Sequence, residues 1–193
     1  TLALFGANMA TWRWSAKTGL WTRDGSLNRM LGRGDTPTSE TIPTVLQAVH
    51  PEDRERMNLA FTHAVETCGV FMHEYRVLTP DGTRTMRTRG RVFPGPDGKA
   101  EYASGVVVDI TSEVDAARKD RLLTHVLQMA PDGIVTADPG GAIIYANPAF
   151  LSTYEYEEPD VLGQDVRLIR AEGERLLFAP IASNTWRGEV MHR

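Results

Sequence analysis

Three β-rich runs separated by two Asp-Gly turns constrain this chain most. Phe71 to Thr79 ends at Pro80-Asp81-Gly82, Thr83 to Phe93 ends at Pro94-Gly95-Pro96-Asp97-Gly98, and Ala100 to Asp109 follows. Proline presets φ at the first turn position, aspartate bonds back to the backbone, and glycine accepts positive φ. Strands joined by such short turns pair as an antiparallel meander. Val106-Val107-Val108 has no polar alternation, which suits the most buried strand of the three.

Upstream, Thr11 to Ala16 and Leu20 to Thr22 flank Lys17-Thr18-Gly19 and predict another hairpin. Short helices fit Ser26 to Leu31 and Thr41 to Val49. A longer helix begins near Pro51, a residue tolerated at a first helical position. Glu52, Asp53 and Glu55 lie in its first turn, where the helix dipole favours anions. Leu59 and Val65 are expected to face the core, and Cys68-Gly69 ends the helix. A further helix, capped by Thr111 or Ser112, runs to about Met129 and stops before Pro131. Its first half is charged. Its second half carries Leu122, Leu123, Val126, Leu127 and Met129 at spacings that suit packing on a domain or a partner helix.

The opening pattern then returns. Gly133 to Asp138, Pro139-Gly140-Gly141 and Ala142 to Ala146 form a hairpin signature, Asn147-Pro148-Ala149-Phe150 starts a short helix, and Trp186-Arg187-Gly188-Glu189 starts a strand. The period is about 120 residues, which indicates a duplicated domain. The repeat is uneven: Gly32 to Glu74 spans 42 positions and Gly163 to Glu189 spans 26, so most of the Pro51–Cys68 helix has no counterpart, and the second unit is either shorter or lacks residues there.

Composition narrows the class. With 193 residues, 41% of them hydrophobic, and four tryptophans, the chain has material for one large or two small cores. No apolar run approaches the roughly 20 residues that span a bilayer. A net charge of −4, with 13 basic and 12 acidic side chains in the first 111 residues, argues against a nucleic-acid partner. The single cysteine, Cys68, excludes an internal disulfide and fits a reducing cytoplasm, the expected location. The non-methionine start and the strand-like last residues suggest a piece of a longer protein.

These patterns resemble tandem PAS domains. The first unit resembles the subclass with a Trp-rich opening strand (Trp12-Arg13-Trp14), a His50-Pro51-Glu52-Asp53-Arg54 segment, a Glu74-Tyr75-Arg76 strand and an exit at Asp109-Ile110-Thr111. The second is similar to the general subclass, through Ala130-Pro131-Asp132-Gly133-Ile134, Tyr145 to Phe150, Asp160 to Gln164 and Trp186 to Glu189. The resemblance implies an α+β fold of two PAS-like units, each a five-stranded antiparallel sheet with helices on one face. The domains are then 9–111, a connecting signalling helix 112–130, and an incomplete second unit, 131–193. It also implies a non-catalytic sensory-box fragment that homodimerises and relays a change to an effector, commonly a histidine kinase or a cyclic-di-GMP enzyme. Asp109, Ile110 and Thr111 are the relay.

Each candidate site has a plainer counterpart. Trp12, Trp14 and Tyr75, with Trp21, can line a small-molecule pocket, and the plainer reading is an aromatic core. In the second unit, Asn147 and Trp186 can hold FAD, against a helix cap and a core residue. The leading expectation is no cofactor, with FAD the alternative. Haem is set aside, because His50 is explained by its segment and His63 as a surface or packed residue. A cysteinyl-flavin adduct does not suit Cys68 at a helix end. No metal site and no nucleophile–base arrangement is visible. Arg87, Arg89 and Arg91 alternate along one strand and are read as a solvated basic row.

Overall fold

The computed structural model describes residues 8–169. It has two compact units divided between Arg118 and Lys119. In the first, β1 (Met9–Ser15) and β2 (Leu20–Arg23) make the expected hairpin, with Trp14 opposite Trp21. Helix α1 (Gly25–Met30) follows, its first turn capped by the Asp24 carboxylate, which accepts from the Leu27 amide at 2.8 Å. Then come β3 (Thr38–Thr41), α2 (Ile42–Ala48) and α3 (Pro51–Thr67). The meander β4 (Val70–Thr79), β5 (Gly82–Pro94) and β6 (Ala100–Asp109) completes the unit.

All neighbours are antiparallel, and the sheet order is β3-β2-β1-β6-β5-β4. This is the expected α+β architecture, with one strand more than the five anticipated. The addition, β3, reads Thr-Ser-Glu-Thr and has no apolar residue, so hydrophobic alternation gives no sign of it. It joins as an edge strand beside β2.

One sheet face meets the helices. Ala10, Trp12 and Trp14 of β1, Ala103 and Val107 of β6, Met86 and Val92 of β5, and Phe71, Tyr75 and Val77 of β4 are buried there. Strand β6 lies centrally and exposes only Glu101. Helix α3 presents Asp53, Met57, Phe61 and Ala64 to the interior. These residues recur at four- and three-residue spacing, as an amphipathic helix requires. Leu59 corrects the sequence expectation: it lies off that stripe and is 61% exposed. Val65 does pack partly buried against the core.

Helix α4 (Thr111–Met129) spans the division between the units and has no buried residue. The second unit contains the hairpin β7 (Val135–Ala137) and β8 (Ile143–Ala146), then α5 (Pro148–Tyr154) and α6 (Glu158–Val161). Ile143, Ala146, Phe150 and Val161 form its core. The strand expected at Trp186 lies outside the described residues.

Candidate functional site

Aromatic packing shapes the first unit's interior. Trp12 and Trp21 stack with ring centroids 4.3 Å apart, and Phe61 meets Trp12, Trp14, Trp21 and Phe71 edge-on. The indole N–H of Trp12 donates to Thr88 Oγ1 at 2.8 Å, and that hydroxyl donates to the Val106 carbonyl. Beside the tryptophan stack lies a cavity of about 30 Å³ whose walls include Trp12, Trp21, Arg23 and Tyr75. Three of the four aromatic residues singled out from sequence therefore share one cavity. Trp14 does not: its ring faces a separate surface cleft with Val65, Cys68 and Lys99.

Arg23 was not foreseen. It sits on β2 among apolar neighbours and is 2% exposed. One guanidinium nitrogen, Nη2, pairs with the Glu40 carboxylate of β3, while Nε is buried and finds no partner among the described residues. Burial pulls the guanidinium below its ordinary pKa, and Glu40 acts against that shift. Burial also raises the Tyr75 phenol, with Arg23 opposing. Glu40 has a second cation in reach, Arg33, at 3.6 Å.

A second ionic link joins two of the sequence motifs. Asp53, in the first turn of α3, accepts from the Arg76 backbone N–H at 2.8 Å and from its Nε and Nη2, each at 3.0 Å. These bonds hold the Asp53 carboxyl well below the usual carboxylate range. Arg54 donates to the carbonyls of Val49 and Gln47 at the end of α2, and the His50 amide donates to the Arg76 carbonyl. The His-Pro-Glu-Asp-Arg and Glu-Tyr-Arg segments are thus two sides of one joint between helix and sheet.

The exit from β6 is equally well tied. The Asp109 carboxylate receives the backbone N–H and hydroxyl of Thr111 on Oδ1 and Arg84 on Oδ2. The Thr111 hydroxyl accepts from the Thr85 amide at 2.9 Å, the Ile110 amide donates to the Thr85 carbonyl at 2.9 Å, and the Ile110 side chain is buried. Asp109, Ile110 and Thr111 therefore fasten the first turn of α4 to the start of β5.

In the second unit Asn147 is fully buried and fully occupied. Its Oδ1 accepts from the amides of Ile134 (2.7 Å) and Phe150 (2.9 Å), and its Nδ2 donates to the carbonyls of Asp132 (2.9 Å) and Leu127 (3.1 Å). It caps α5 and ties the end of α4 to the hairpin. Trp186 lies outside the described residues.

A family profile described as PAS fold matches residues 20–107, and one described as PAS domain matches residues 121–189. The chain belongs to the PAS family. Sensor protein FixL of Bradyrhizobium diazoefficiens is 30% identical over 178 residues, which are 88% of this chain and 34% of that protein. The PAS chain thus spans about a third of this relative's length. A sensory box histidine kinase/response regulator structure from Burkholderia thailandensis superposes with a TM-score of 0.53 at 28% identity, covering 65% of this chain and 97% of that one. The N-terminal domain of a diguanylate cyclase with PAS/PAC sensor from Marinobacter aquaeolei gives a TM-score of 0.49 at 21% identity, covering 55% and 98%. The matched profiles, with FixL and the sensory box kinase, mark the units as PAS sensor domains of the kind that signalling proteins carry.

The described residues of the first unit fit neither a flavin nor a haem. A first-unit cavity of about 30 Å³ holds a few heavy atoms, far from a flavin or a haem. His63 is exposed on α3, and His50 sits half-buried at the start of that helix, beside Glu52. Cys68 occupies the left-handed helix cap, its thiol 3.8 Å from the Gly98 carbonyl. In the second PAS unit the Asn147 amide is committed to backbone, and Trp186, the other residue considered for a flavin, lies outside the described residues. Among the described residues no helix is long and apolar enough to cross a membrane, and no group of His, Cys, Asp and Glu is placed to hold a metal ion. Arg87, Arg89 and Arg91 are exposed, and Arg87 pairs with Glu74 at 2.7 Å.

Proposed function

We propose that this PAS chain is a sensing and relay segment, with domains at 9–111 and 131–193 and a signalling helix at 112–130. Trp12, Trp21 and Tyr75 line the ligand cavity of the first domain. The segment works in the cytoplasm as a homodimer, catalyses nothing itself, and passes its change to an effector in the same protein, a histidine kinase or a cyclic-di-GMP enzyme. The observation that carries this reading is the hydrogen-bonded exit at Asp109-Ile110-Thr111. Strand β5 lies directly under that exit, and one face of β5 packs in the same core as the cavity. A change in sheet packing would therefore reach the first turn of α4 through a few short bonds.

The test is Thr111→Val and Asp109→Asn in the longer protein. Both are expected to leave the fold intact and to change effector output or its response to stimulus. Output identical to the parent in both variants overturns the relay role.

A further inference from the structure

We propose that the cavity of the first domain is a site for a short-chain monocarboxylate, held on the Arg23 guanidinium with its alkyl tail against Leu27, Val49 and Val77. This deepens the sensing reading above and rests on it. Three observations converge. First, a cationic side chain that is 2% exposed lines a cavity whose other walls are almost all apolar. Burying an arginine is costly unless the charge is paired and its N–H groups are bonded, and Glu40 meets only Nη2. Secondly, its Nε has no partner among the described residues, so the planar fork that suits a carboxylate is only partly filled. Thirdly, about 30 Å³ admits only a ligand of a few heavy atoms, which favours the smallest members, acetate and propionate, over any aromatic or sugar acid.

Charge bookkeeping then supplies a response. Two carboxylates on one guanidinium at low dielectric repel each other. An arriving carboxylate therefore displaces Glu40 from Arg23. Glu40 has somewhere to go, because Arg33 already lies 3.6 Å away on the solvent side, where it is 39% exposed. The exchange releases β3, the outer strand of the sheet, from its ionic tie to β2. The ligand thus changes which cation Glu40 serves, and no covalent step is involved.

The experiment titrates the purified chain with sodium propionate and follows tryptophan fluorescence, since Trp12 and Trp21 form the cavity wall. Sodium chloride at matched ionic strength, 1-propanol and propylamine are the controls. A saturable change with propionate alone is expected. Arg23→Met fills much the same volume without charge, and the Glu40 carboxylate it leaves behind is 23% exposed and keeps Arg33 at 3.6 Å, so it is not stranded. The variant should weaken propionate at least about tenfold, the scale of a lost charged hydrogen bond. Glu40→Gln removes the competing carboxylate, and it should bind propionate more tightly than the parent. No saturable response in either the parent or Glu40→Gln overturns the proposal, as does undiminished binding in Arg23→Met or equal binding of 1-propanol. The two readings fail separately. Arg23-dependent binding with no effect on effector output leaves the site and removes the sensing role. Absent binding with an active Thr111→Val effect leaves the relay and removes the site.

Discussion

Gly90 of β5 and Gly105 of β6 face one another across the sheet, at the middle of a four-strand rung whose ends are Trp12 and Phe71. The two missing side chains leave a trough, and the Trp12 indole lies in it. Its ring reaches toward Phe71, with centroids 6.0 Å apart at 80°. A Cβ on Gly105 would sit 2.6 Å from the Trp12 ring and 2.7 Å from the Gly90 Cα, closer than real atoms approach. Neither glycine has positive φ, so the requirement is for space and not for an unusual backbone.

Gly105→Ala is accordingly expected to destabilise the first unit by about 1–3 kcal/mol, the usual cost of overpacking a filled core. Chemical denaturation followed by tryptophan fluorescence measures it. Adding Trp12→Phe, which vacates the trough, should recover part of the loss. A double variant no more stable than Gly105→Ala alone contradicts this account of the glycine pair.

The Asp53–Arg76 joint predicts an acid dependence. The Asp53 carboxyl is buried and accepts three charge-assisted bonds from Arg76, which hold its folded pKa below the ordinary 3.8. A depressed carboxylate contributes stability above the unfolded value and loses it as pH falls. The contribution should be intact at neutral pH and should fade as pH drops below about 4. Asp53→Asn keeps the shape, removes the charge, and should cost about 2 kcal/mol at pH 7, since charged hydrogen bonds are worth about 1.5–3 kcal/mol. Its stability should change less than the parent's between pH 5 and pH 3. Parallel pH profiles would refute the assignment.

Much of this was legible in the sequence because periodicity and turns carry it. The meander, the Trp hairpin, both α3 boundaries, α4 and the second hairpin all follow from β-rich runs, Asp-Gly turns and proline positions. The hidden parts are those with no local signal. Strand β3 is polar throughout and exists because β2 offers it an edge. Leu59 suggests a core residue by type, and only the phase of α3 shows that it faces water. Arg23 looks like any strand-end cation. Its burial depends on Glu40, 17 positions away, and on the helices that cover β2. Asp53 and Arg76 belong to two separate motifs, and their pairing spans 23 positions and is a tertiary fact.

Asn147 gives a prediction that separates a structural from a cofactor role. Its two amide ends serve opposite partners, since Oδ1 accepts from two amides and Nδ2 donates to backbone carbonyls. Asn147→Asp preserves the cap to Phe150 but replaces donors with a second acceptor facing the Asp132 and Leu127 carbonyls. A buried charge set against carbonyl oxygens should destabilise the second unit by about 2–4 kcal/mol. Hydrogen exchange should localise the loss to β7, β8 and α5. Protection unchanged in those elements would remove Asn147 from its structural role.

The exposed face of α4 yields the last prediction. Leu122, Val126 and Met129 follow each other at four- and three-residue spacing and are 61%, 57% and 71% exposed. That row has the repeat of a helix–helix seam, and the preceding turns carry Asp115, Lys119 and Asp120, which are charged. A homodimer seated on this row should therefore draw its apolar contact from the last two turns and be weak. Sedimentation equilibrium of the parent should show a concentration-dependent dimer. Leu122→Glu with Val126→Glu places like charges opposite each other and should shift the chain to monomer. Both side chains are solvent-exposed in the protomer, so its melting temperature should change little. A dimer that survives the double substitution lies on another surface.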